Sequence, residues 1–319
     1  MYLREENFFS YLNSFSCFEK FPHVAVGVSG GPDSIALVFL INKWIISKKG
    51  KLSALIFDHK IRHNSNLEAS QVKDTLKNLN VDARIIQPKK NKIIKKSMEQ
   101  ARINRLDGIV NFCRQNNILH LFLGHHADDN IENFLIRKIN GSNFEGLGSI
   151  KEISFINKLQ IIRPLLKTNK KSILKFNRKN KLIFINDPSN EDMSYSRVKV
   201  RNFLKNVKYN KLVKNDFTKI KKEMPDYKYM IWSSLIEAIC DVGPENIKIN
   251  INKLLSFDDL IIERIILYCL KFFSDHNFKV RSSKISIFVN ELKKSSFKVF
   301  KLSSILIRKR HDLLVFSLK

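Results

Sequence analysis

The sequence is poor in glycine and proline, with 10 and 7 in 319 residues, and it shows no internal repeat or low-complexity stretch. These absences argue against collagen-like and solenoid architectures. Cysteine is also scarce, and no two cysteines form a Cys-x-x-Cys pair, which disfavours a zinc ribbon, an iron–sulfur site and a disulfide scaffold. The cysteines are Cys17, Cys113, Cys240 and Cys269.

Long apolar runs are missing as well. The runs at residues 35–46 and 260–270 are interrupted by charged or amide side chains, and both fall short of the roughly 18 residues that a membrane-spanning helix requires. Residues 1–10 include Glu5 and Glu6 and lack the apolar core of a secretory signal. We therefore expect a cytoplasmic protein that has no membrane partner.

Acidic residues are few relative to basic ones: 30 Asp and Glu stand against 57 Lys and Arg, a formal net charge of +27. This imbalance favours a polyanionic partner, such as a nucleic acid or an anionic membrane surface. Base composition is the plain alternative, because AT-rich coding DNA enriches a protein in Lys, Asn and Ile without selection for binding. Charge alone does not distinguish RNA from DNA as the partner.

Apolar, β-branched runs of strand length alternate with stretches of helical periodicity through the first part of the chain. After Asp33, for example, Ile35, Val38 and Ile41 recur at helical spacing. This alternation predicts an α/β fold with a doubly wound parallel sheet, whose ligands bind at the carboxyl ends of the strands. The predicted strands are residues 23–28, 52–57, 83–86, 119–123, 159–162 and 182–185.

The composition changes near Asn206, where a Lys-rich stretch begins. We predict that residues 1–205 form the main domain, residues 206–219 a linker and residues 220–319 a small α+β domain. Within the small domain, the pattern predicts one long helix and three short strands joined by tight turns. These elements are residues 252–273, 297–302, 305–310 and 313–318.

The strongest motif follows the first predicted strand and reads Ser29-Gly30-Gly31-Pro32-Asp33-Ser34. Two glycines let the backbone approach a phosphate closely, and the start of the following helix offers N–H groups and a positive dipole end. Ser29 and Ser34 can add hydroxyl donors, and Asp33 can hold the magnesium ion of a nucleoside triphosphate. The plain alternative is a Gly-Pro turn with a helix cap. No Gly-Lys-Ser or Gly-Lys-Thr follows, so the loop is not of the Walker type.

A second motif, Gly124-His125-His126-Ala127-Asp128-Asp129, follows the fourth predicted strand and leads to Glu132. On a helix, Glu132 is three residues from Asp129 and four from Asp128, so it shares a face with each of them. Clustered carboxylates of this kind can hold a cationic amino acid or accept its proton. A helix cap with a dipole complement and a metal site are the two alternatives for the same residues.

The Ser29–Ser34 loop resembles that of the PP-loop ATP pyrophosphatases, which cleave ATP between the α and β phosphates. Further strings, in this order and spacing, are similar to those of the tRNA(Ile)-lysidine synthetase family over roughly residues 20–205. Besides the two motifs above, they are Asp58-His59-Lys60-Ile61-Arg62, Glu99 to Arg105, Arg163-Pro164-Leu165-Leu166 and Asp187-Pro188-Ser189-Asn190.

The resemblance implies a PP-loop ATP-binding catalytic domain over residues 1–205. In this family, ATP with magnesium activates carbon 2 of the wobble cytidine in tRNA(Ile) with a CAU anticodon. The ε-amine of L-lysine then displaces AMP, and the product is lysidine. No protein partner is implied.

The resemblance also assigns roles to residues. It implies ATP binding by the Ser29–Ser34 loop, Asp58 and His59, with magnesium at Asp33, and lysine binding by Asp128, Asp129 and Glu132. The implied catalytic residues are Asp33, Arg102, Asp129 and Glu132. The implied or candidate tRNA-binding residues are Arg197, Lys199 and Arg201 in the main domain and Arg308 and Arg310 in the small one.

Some of these assignments have plain alternatives. Arg102 is three residues from Arg105 on a helix, where such a pair is usually solvated surface charge. A solvated face also accounts for Arg308 and Arg310. The string Arg197-Val198-Lys199-Val200-Arg201 departs from the family pattern Arg-Asn-x-Ile-Arg, since Val198 replaces the asparagine.

Three rival functions are compatible with part of this pattern. A tRNA thiolase shares the loop but needs cysteine pairs to carry sulfur or a cluster. A noncatalytic basic RNA-binding protein would not need Asp33, Asp129 and Glu132 together. Amidation of a small acid, as in NAD synthesis, is disfavoured by the basic charge and by the additional domain.

Overall fold

The first part of the chain contains six strands, β1 (His23–Val28), β2 (Lys51–Phe57), β3 (Ala83–Ile86), β4 (His120–Leu123), β5 (Ile153–Ile156) and β6 (Leu159–Ile162). The structure is a computed structural model that describes residues 3–15, 17–58, 65–87, 98–156, 158–185, 192–273 and 280–318. It forms two compact units, Met1–Thr218 and Lys219–Lys319.

Helices connect and flank these strands. They are α1 (Glu5–Phe15), α2 (Pro32–Ser47), α3 (Ser65–Lys77), α4 (Met98–Gln115), α5 (Ala127–Ile139), α6 (Lys170–Lys179), α7 (Ser196–Leu204) and α8 (Val207–Ala238). A short 3₁₀ turn lies at Glu145–Leu147. Helix α8 runs through most of the predicted linker. No described helix combines the length and the apolar character needed to cross a bilayer.

The six strands pair in the order β3-β2-β1-β4-β6-β5, and all are parallel except β5, which pairs with β6 in antiparallel fashion. The predicted doubly wound α/β fold is therefore confirmed. The chain builds outward from β1 to β3 and then returns to place β4 on the other side of β1. Such a reversal opens a crevice at the carboxyl ends of the two central strands, β1 and β4.

Both faces of the sheet are covered, which explains why its strands are apolar at nearly every position. Successive side chains point to opposite faces. Val24 and Val26 pack in one cluster with Trp44 of α2, whereas Ala25 packs in another with Ile109 of α4. All five side chains are buried.

One predicted strand is wrong. Residues 182–185 do not form a strand, because β5 already pairs with the outer side of β6 and leaves no edge for a further parallel partner. Leu182 is buried, and the Ile185 amide donates to the Gly30 carbonyl at 2.9 Å. The apolar run therefore packs beside the phosphate-loop motif instead of joining a ladder.

The second unit is α+β, as predicted. It contains the strands β7 (Ile239–Val242), β8 (Asn246–Asn250), β9 (Val299–Leu302), β10 (Ile305–Arg310) and β11 (Leu313–Leu318), in the antiparallel order β7-β8-β11-β10-β9. Its further helices are α9 (Ile251–Leu255), α10 (Asp259–Phe272) and α11 (Ser282–Leu292).

The three closing strands are confirmed, with Ser303 (φ 57°) and His311 (φ 50°) in the left-handed region at the two hairpin turns. The predicted helix at 252–273 is instead two helices, because the chain leaves the helical conformation between Leu255 and Asp259. The Asn250 side chain accepts a hydrogen bond from the Lys253 amide and starts the first of them. Strands β7 and β8 and helix α11 were not predicted.

Candidate active site

The motif from Ser29 to Ser34 connects β1 to α2 at the crevice. Gly30 has a φ of 82°, a conformation that favours glycine, and a Cβ atom added there would lie 2.5 Å from Val72 Cγ2. Gly31 is the residue before α2, and no side chain caps that helix. The loop is therefore shaped by glycines and presents the backbone at the start of a helix.

The two serine hydroxyls are used within the loop. Ser34 Oγ donates to the Gly31 carbonyl at 3.0 Å, accepts from the Ser29 amide at 3.2 Å and lies 3.2 Å from Ser29 Oγ. Because Ser34 has one hydroxyl proton, the Ser29 hydroxyl is the donor in the contact between them. In this arrangement, an anion would be bound mainly by backbone N–H groups, and the Asp33 and Ser34 amides precede the first intrahelical bond, from Ile35 to Gly31.

The loop after β4 packs directly against this motif. A Cβ atom added at Gly124 would lie 3.3 Å from the Asp33 carbonyl and the Ser34 amide nitrogen. Only a residue without a side chain permits that approach comfortably. The second motif of the sequence thus begins in contact with the first.

Helix α5 carries the acidic cluster into the crevice. The His126 amide donates to Asp129 Oδ2 at 2.9 Å, so Asp129 also serves as a cap of α5. Asp129 and Glu132 are 8% and 4% exposed, which is unusual for carboxylates and requires partners. The cap and the clustered acid site are therefore built from the same helix turn.

Two arginines of α7 supply those partners. Arg197 Nε and Arg201 Nε donate to the two oxygens of Glu132 at 3.1 and 2.7 Å, and Arg197 Nη2 lies 3.5 Å from Asp129 Oδ1. The two residues predicted to bind tRNA thus contact the residues predicted to bind lysine. Val198, which replaces the family asparagine, is buried, and Lys199 is exposed.

The surroundings of Asp129 and Arg201 shift the pKa values of these two groups. Burial favours the neutral form of Asp129, but His126, its backbone N–H, Arg197 and His125 together outweigh it and lower the pKa of Asp129 below its ordinary value. Burial likewise opposes the charge of Arg201, but its hydrogen bond to Glu132 and the charges of the nearby acids raise the pKa of Arg201 further. Both groups are charged at neutral pH.

Lys170, at the start of α6, joins the two motifs. Its Nζ donates to both oxygens of Asp33, at 2.7 and 2.5 Å, and its amide donates to Asp128 Oδ2 at 2.7 Å. His126 lies between the same elements, with Nε2 at 3.7 Å from Asp33 Oδ1 and 3.6 Å from Asp129 Oδ2. A continuous polar network therefore links the loop after β1 with helix α5.

Sequence reasoning missed Lys170. The available signal was its position: it follows the Arg163–Leu166 string, beyond the carboxyl end of the predicted strand at 159–162. The position of Asp58 was indicated in the same way, and the residue is buried at the carboxyl end of β2, where its amide donates to the Ile86 carbonyl at 3.0 Å.

The remaining predicted site residues are of two kinds. His59, the Arg102 side chain and the string 187–190 lie outside the described residues. Arg308 and Arg310 are exposed on β10 of the second unit. Asp33 is the predicted magnesium ligand, and within the described ranges no three His, Cys, Asp or Glu side chains are grouped so as to hold a metal ion.

The part of the chain that carries the two motifs is similar to known proteins. A family model described as a PP-loop domain matches residues 4–208. The tRNA(Ile)-lysidine synthase of Wolbachia pipientis wMel is 33% identical over 298 residues, which cover 90% of this chain and 68% of that protein. The tRNA(Ile)-lysidine synthase of Orientia tsutsugamushi (strain Boryong) is 38% identical over 203 residues, which cover 64% of this chain and 46% of that protein.

The chain thus spans about half to two thirds of the length of these curated relatives. Among solved structures, the U34-tRNA thiolase NcsA from Methanococcus maripaludis, solved with its [4Fe-4S] cluster, matches with a TM-score of 0.53 at 16% identity. The match covers 68% of this chain and 78% of that one. At this identity the likeness shows a shared fold.

Proposed function

The chain belongs to the PP-loop family and, within it, to the tRNA(Ile)-lysidine synthases, and from this premise we propose that it is an ATP-dependent ligase that modifies tRNA. Its substrate base is the wobble cytidine of a tRNA(Ile) with a CAU anticodon, and its second substrate is L-lysine. The products are lysidine, AMP and pyrophosphate. The catalytic part is the domain predicted over residues 1–205, which the family match at 4–208 supports.

The loop from Ser29 to Ser34 fits the phosphates of ATP. The left-handed Gly30, the uncapped start of α2 and the close approach of Gly124 leave backbone N–H groups facing the crevice. Such groups stabilise an anion without side-chain charge. The serine hydroxyls contribute by holding the loop in shape, since both are engaged inside it.

Magnesium at Asp33 would have to replace a bound cation. Both oxygens of Asp33 accept from Lys170, so a metal ion at this carboxylate requires the ammonium to release at least one oxygen. The released ammonium is then free to contact a phosphate. Magnesium keeps several waters and takes few protein ligands when it accompanies a triphosphate, so one carboxylate suffices.

Asp129 and Glu132 are proposed to hold the ammonium group of the substrate lysine. They are buried carboxylates that already bind two cationic side chains, Arg197 and Arg201. A substrate ammonium of the same charge can take part of that position if an arginine moves toward an RNA phosphate. This exchange accounts for the tRNA-binding role assigned to the same arginines by resemblance.

The lowered pKa of Asp129 favours binding over proton abstraction. A lysine ammonium has a reference pKa near 10.4, so transfer of its proton to a carboxyl group whose pKa lies below its ordinary value is strongly unfavourable. Asp129 is therefore a positioning anion in this proposal. The ε-ammonium loses one proton to solvent, and the free amine attacks carbon 2. The C–N bond forms as the C–O bond breaks, AMP leaves with the oxygen, and the second proton of the attacking nitrogen also passes to solvent.

One observation carries the proposal: a phosphate-loop motif and a buried carboxylate pair lie in one polar network, at the switch point of one sheet. Adenylation needs the loop and lysine transfer needs the acids. In this proposal, both groups act on one substrate base. A noncatalytic RNA-binding protein has no use for this arrangement.

Incubation of the protein with ATP, labelled L-lysine and total tRNA tests the proposal. We expect label in tRNA only when ATP is present, with stoichiometric release of AMP and pyrophosphate, and mass spectrometry of the digested tRNA distinguishes lysidine from a thionucleoside. The matched control is Asp33→Asn, which keeps the shape of the loop. Transfer of label by that variant at the wild-type rate, or no label with the wild-type protein, would contradict the proposal.

A further inference from the structure

A groove with a volume of about 450 Å³ lies in the first unit where α7 ends and α8 begins. The polar residues that line it are Lys205, Lys211, Lys214, Asn210 and Asn215. Its lining therefore offers ammonium groups and amides, which are donors for phosphate and base oxygens. The sequence pattern indicates only a linker at this position.

The positive charge of the groove is not balanced locally. All three lining lysines are exposed, and none forms an ion pair with an acidic residue in the described part of the chain. The acid nearest in sequence, Asp216, is already paired with Lys138 at 2.5 Å. Uncompensated lysines on a rigid helix are the usual means of contacting a nucleic-acid backbone.

The lysines also form a row. Lys208, Lys211 and Lys214 recur every three residues on α8, so each is a neighbour of the next on the helix surface, and the row extends roughly 9 Å along the axis. A row of this length is longer than a single phosphate requires, and it suits the successive phosphates of a nucleic-acid strand.

An exposed aromatic pair lies beside the groove. The rings of Phe203 and Tyr209 stack with centroids 4.7 Å apart and an interplanar angle of 5°, and the two residues are 46% and 44% exposed. Flat aromatic faces next to a basic groove form a platform on which unpaired bases stack. Base-paired RNA does not present free base faces, so the pair favours a single-stranded segment.

The groove begins close to the candidate active site along the chain. Lys205 follows Arg201 by one helical turn, roughly 6 Å along the axis, and Arg201 donates to Glu132. We propose that this groove binds unpaired nucleotides of the RNA substrate that flank the reacting base. This inference rests on the proposed function and adds to it a single-stranded RNA site in the first unit.

Fluorescence anisotropy with a labelled single-stranded RNA of about a dozen nucleotides and a duplex of the same sequence tests the groove. The groove variant is Lys205→Gln/Lys211→Gln/Lys214→Gln. The matched control is Lys48→Gln/Lys73→Gln/Lys77→Gln, which removes the same charge from exposed positions of the same unit. Melting temperatures verify that the exposed substitutions leave the fold intact.

For the groove variant, we expect at least a tenfold loss of single-strand affinity and a salt dependence shallower by about two units, since each phosphate contact on a single strand contributes about 0.7. The control should change by less than twofold. Tyr209→Ala should lose about tenfold with an unchanged salt slope, because stacking is lost while charge is kept. Equal losses in the groove and control variants, or equal losses for duplex and single strand, would overturn the inference.

Lysine transfer by the wild-type protein is measured in parallel. If lysine transfer is absent but the groove variant loses RNA affinity, the proposed function is contradicted and the inference about the groove stands. If lysine transfer is normal but RNA affinity is unaltered in both the groove variant and Tyr209→Ala, the proposed function stands and the inference about the groove is overturned. If the groove variant has a lowered melting temperature, the RNA affinity of Tyr209→Ala decides the test.

Discussion

Helix α7 and the residues just beyond it place positive charge in opposite environments. Within the helix, Arg197 and Arg201 are paired with Glu132, which is almost fully buried. Just past its end, Lys205 is exposed and lines a groove with other lysines that have no acidic partner among the described residues. Paired, buried charges fix the position of reacting groups, whereas unpaired, exposed charges attract a polyanion without fixing its sequence.

The comparison predicts where a lost charge is costly. In the acid site, each group is held by others, so removal of one leaves a buried partner without compensation. In the groove, the removal of one lysine takes away one phosphate contact. The following substitutions, in order of decreasing effect, test this difference.

Asp33→Asn should have the largest effect. It removes the charge that binds Lys170 and the proposed magnesium ligand in one step, and we expect pyrophosphate release to fall roughly a hundredfold to a thousandfold. The measurement is pyrophosphate release at saturating ATP. Asp216→Asn, at an exposed ion pair, is the control and should retain activity. Similar losses of pyrophosphate release in both variants would contradict the distinction between charges of the acid site and exposed charges.

Asp129→Asn and Glu132→Gln should separate the two half-reactions. Lysine transfer should fall about a hundredfold because the lysine is no longer held in position, while adenylation without lysine should change little, because the acids lie on a different strand connection from the phosphate loop. The asparagine retains an acceptor for the His126 amide, so the cap of α5 survives. The readout is AMP-linked tRNA formed without lysine, set against labelled lysine transferred. Equal loss of both activities would assign the acids to the nucleotide.

Lys170→Gln should have an intermediate effect. Loss of the ammonium leaves Asp33 without its ion-pair partner and removes the proposed phosphate contact. We expect about a tenfold rise in the KM for ATP and half-maximal activity at a lower magnesium concentration, since the metal ion no longer competes with an internal cation. Lys170→Arg keeps the charge and should recover most of the activity. Wild-type ATP kinetics for the glutamine variant would show that the contact with Asp33 is structural.

Arg308→Gln/Arg310→Gln should weaken tRNA binding only a few-fold and make the salt dependence shallower by about two units. Both side chains are exposed on β10 and, like the groove lysines, are expected to contact phosphates. The measurement is tRNA affinity across a salt series, with Lys48→Gln/Lys73→Gln as the control. An unchanged slope would assign tRNA binding to the first unit alone.

The smallest effect concerns pH. Because the pKa of Asp129 is lowered in the folded protein, its stabilising contribution is fully present above about pH 4 and is lost as pH falls through the folded value. Between pH 6 and 8, the rate of lysine transfer should not depend on the protonation of Asp129. The pH profiles of the wild-type protein and of Asp129→Asn should therefore have the same shape. Melting temperature against pH checks the first statement and the rate of transfer checks the second. An Asp129-dependent titration near neutral pH would make Asp129 the general base.

Much of the fold was predictable because it depends on local pattern. Strands β1, β3 and β6 have the predicted bounds, since each combines a short β-branched run with flanking turn residues. The run at 182–185 has the same pattern and is not a strand. Whether this run forms a strand depended on an open sheet edge beside β6. The local sequence pattern carries no information about such an edge.

The candidate site shows the same division. Its two motifs were visible in the sequence because each is a short string after a strand, and the family match agrees with them. The cationic partners were assigned differently: Arg197 and Arg201 were predicted to meet RNA, and they lie against Asp129 and Glu132. The sequence position of a basic side chain does not reveal whether its anionic partner in space is a substrate or another residue of the same chain.

The sequence by itself determined the alternation of strands and helices, the glycine-shaped loop and the carboxylates of α5, because these follow from propensities over a few residues. Only the tertiary structure decided which charges meet. Lys170 and Asp33 are 137 residues apart, and Arg201 and Glu132 are 69 apart. Such pairs form because the sheet brings the carboxyl ends of its strands to one edge, and that order is set by long-range packing of the whole unit.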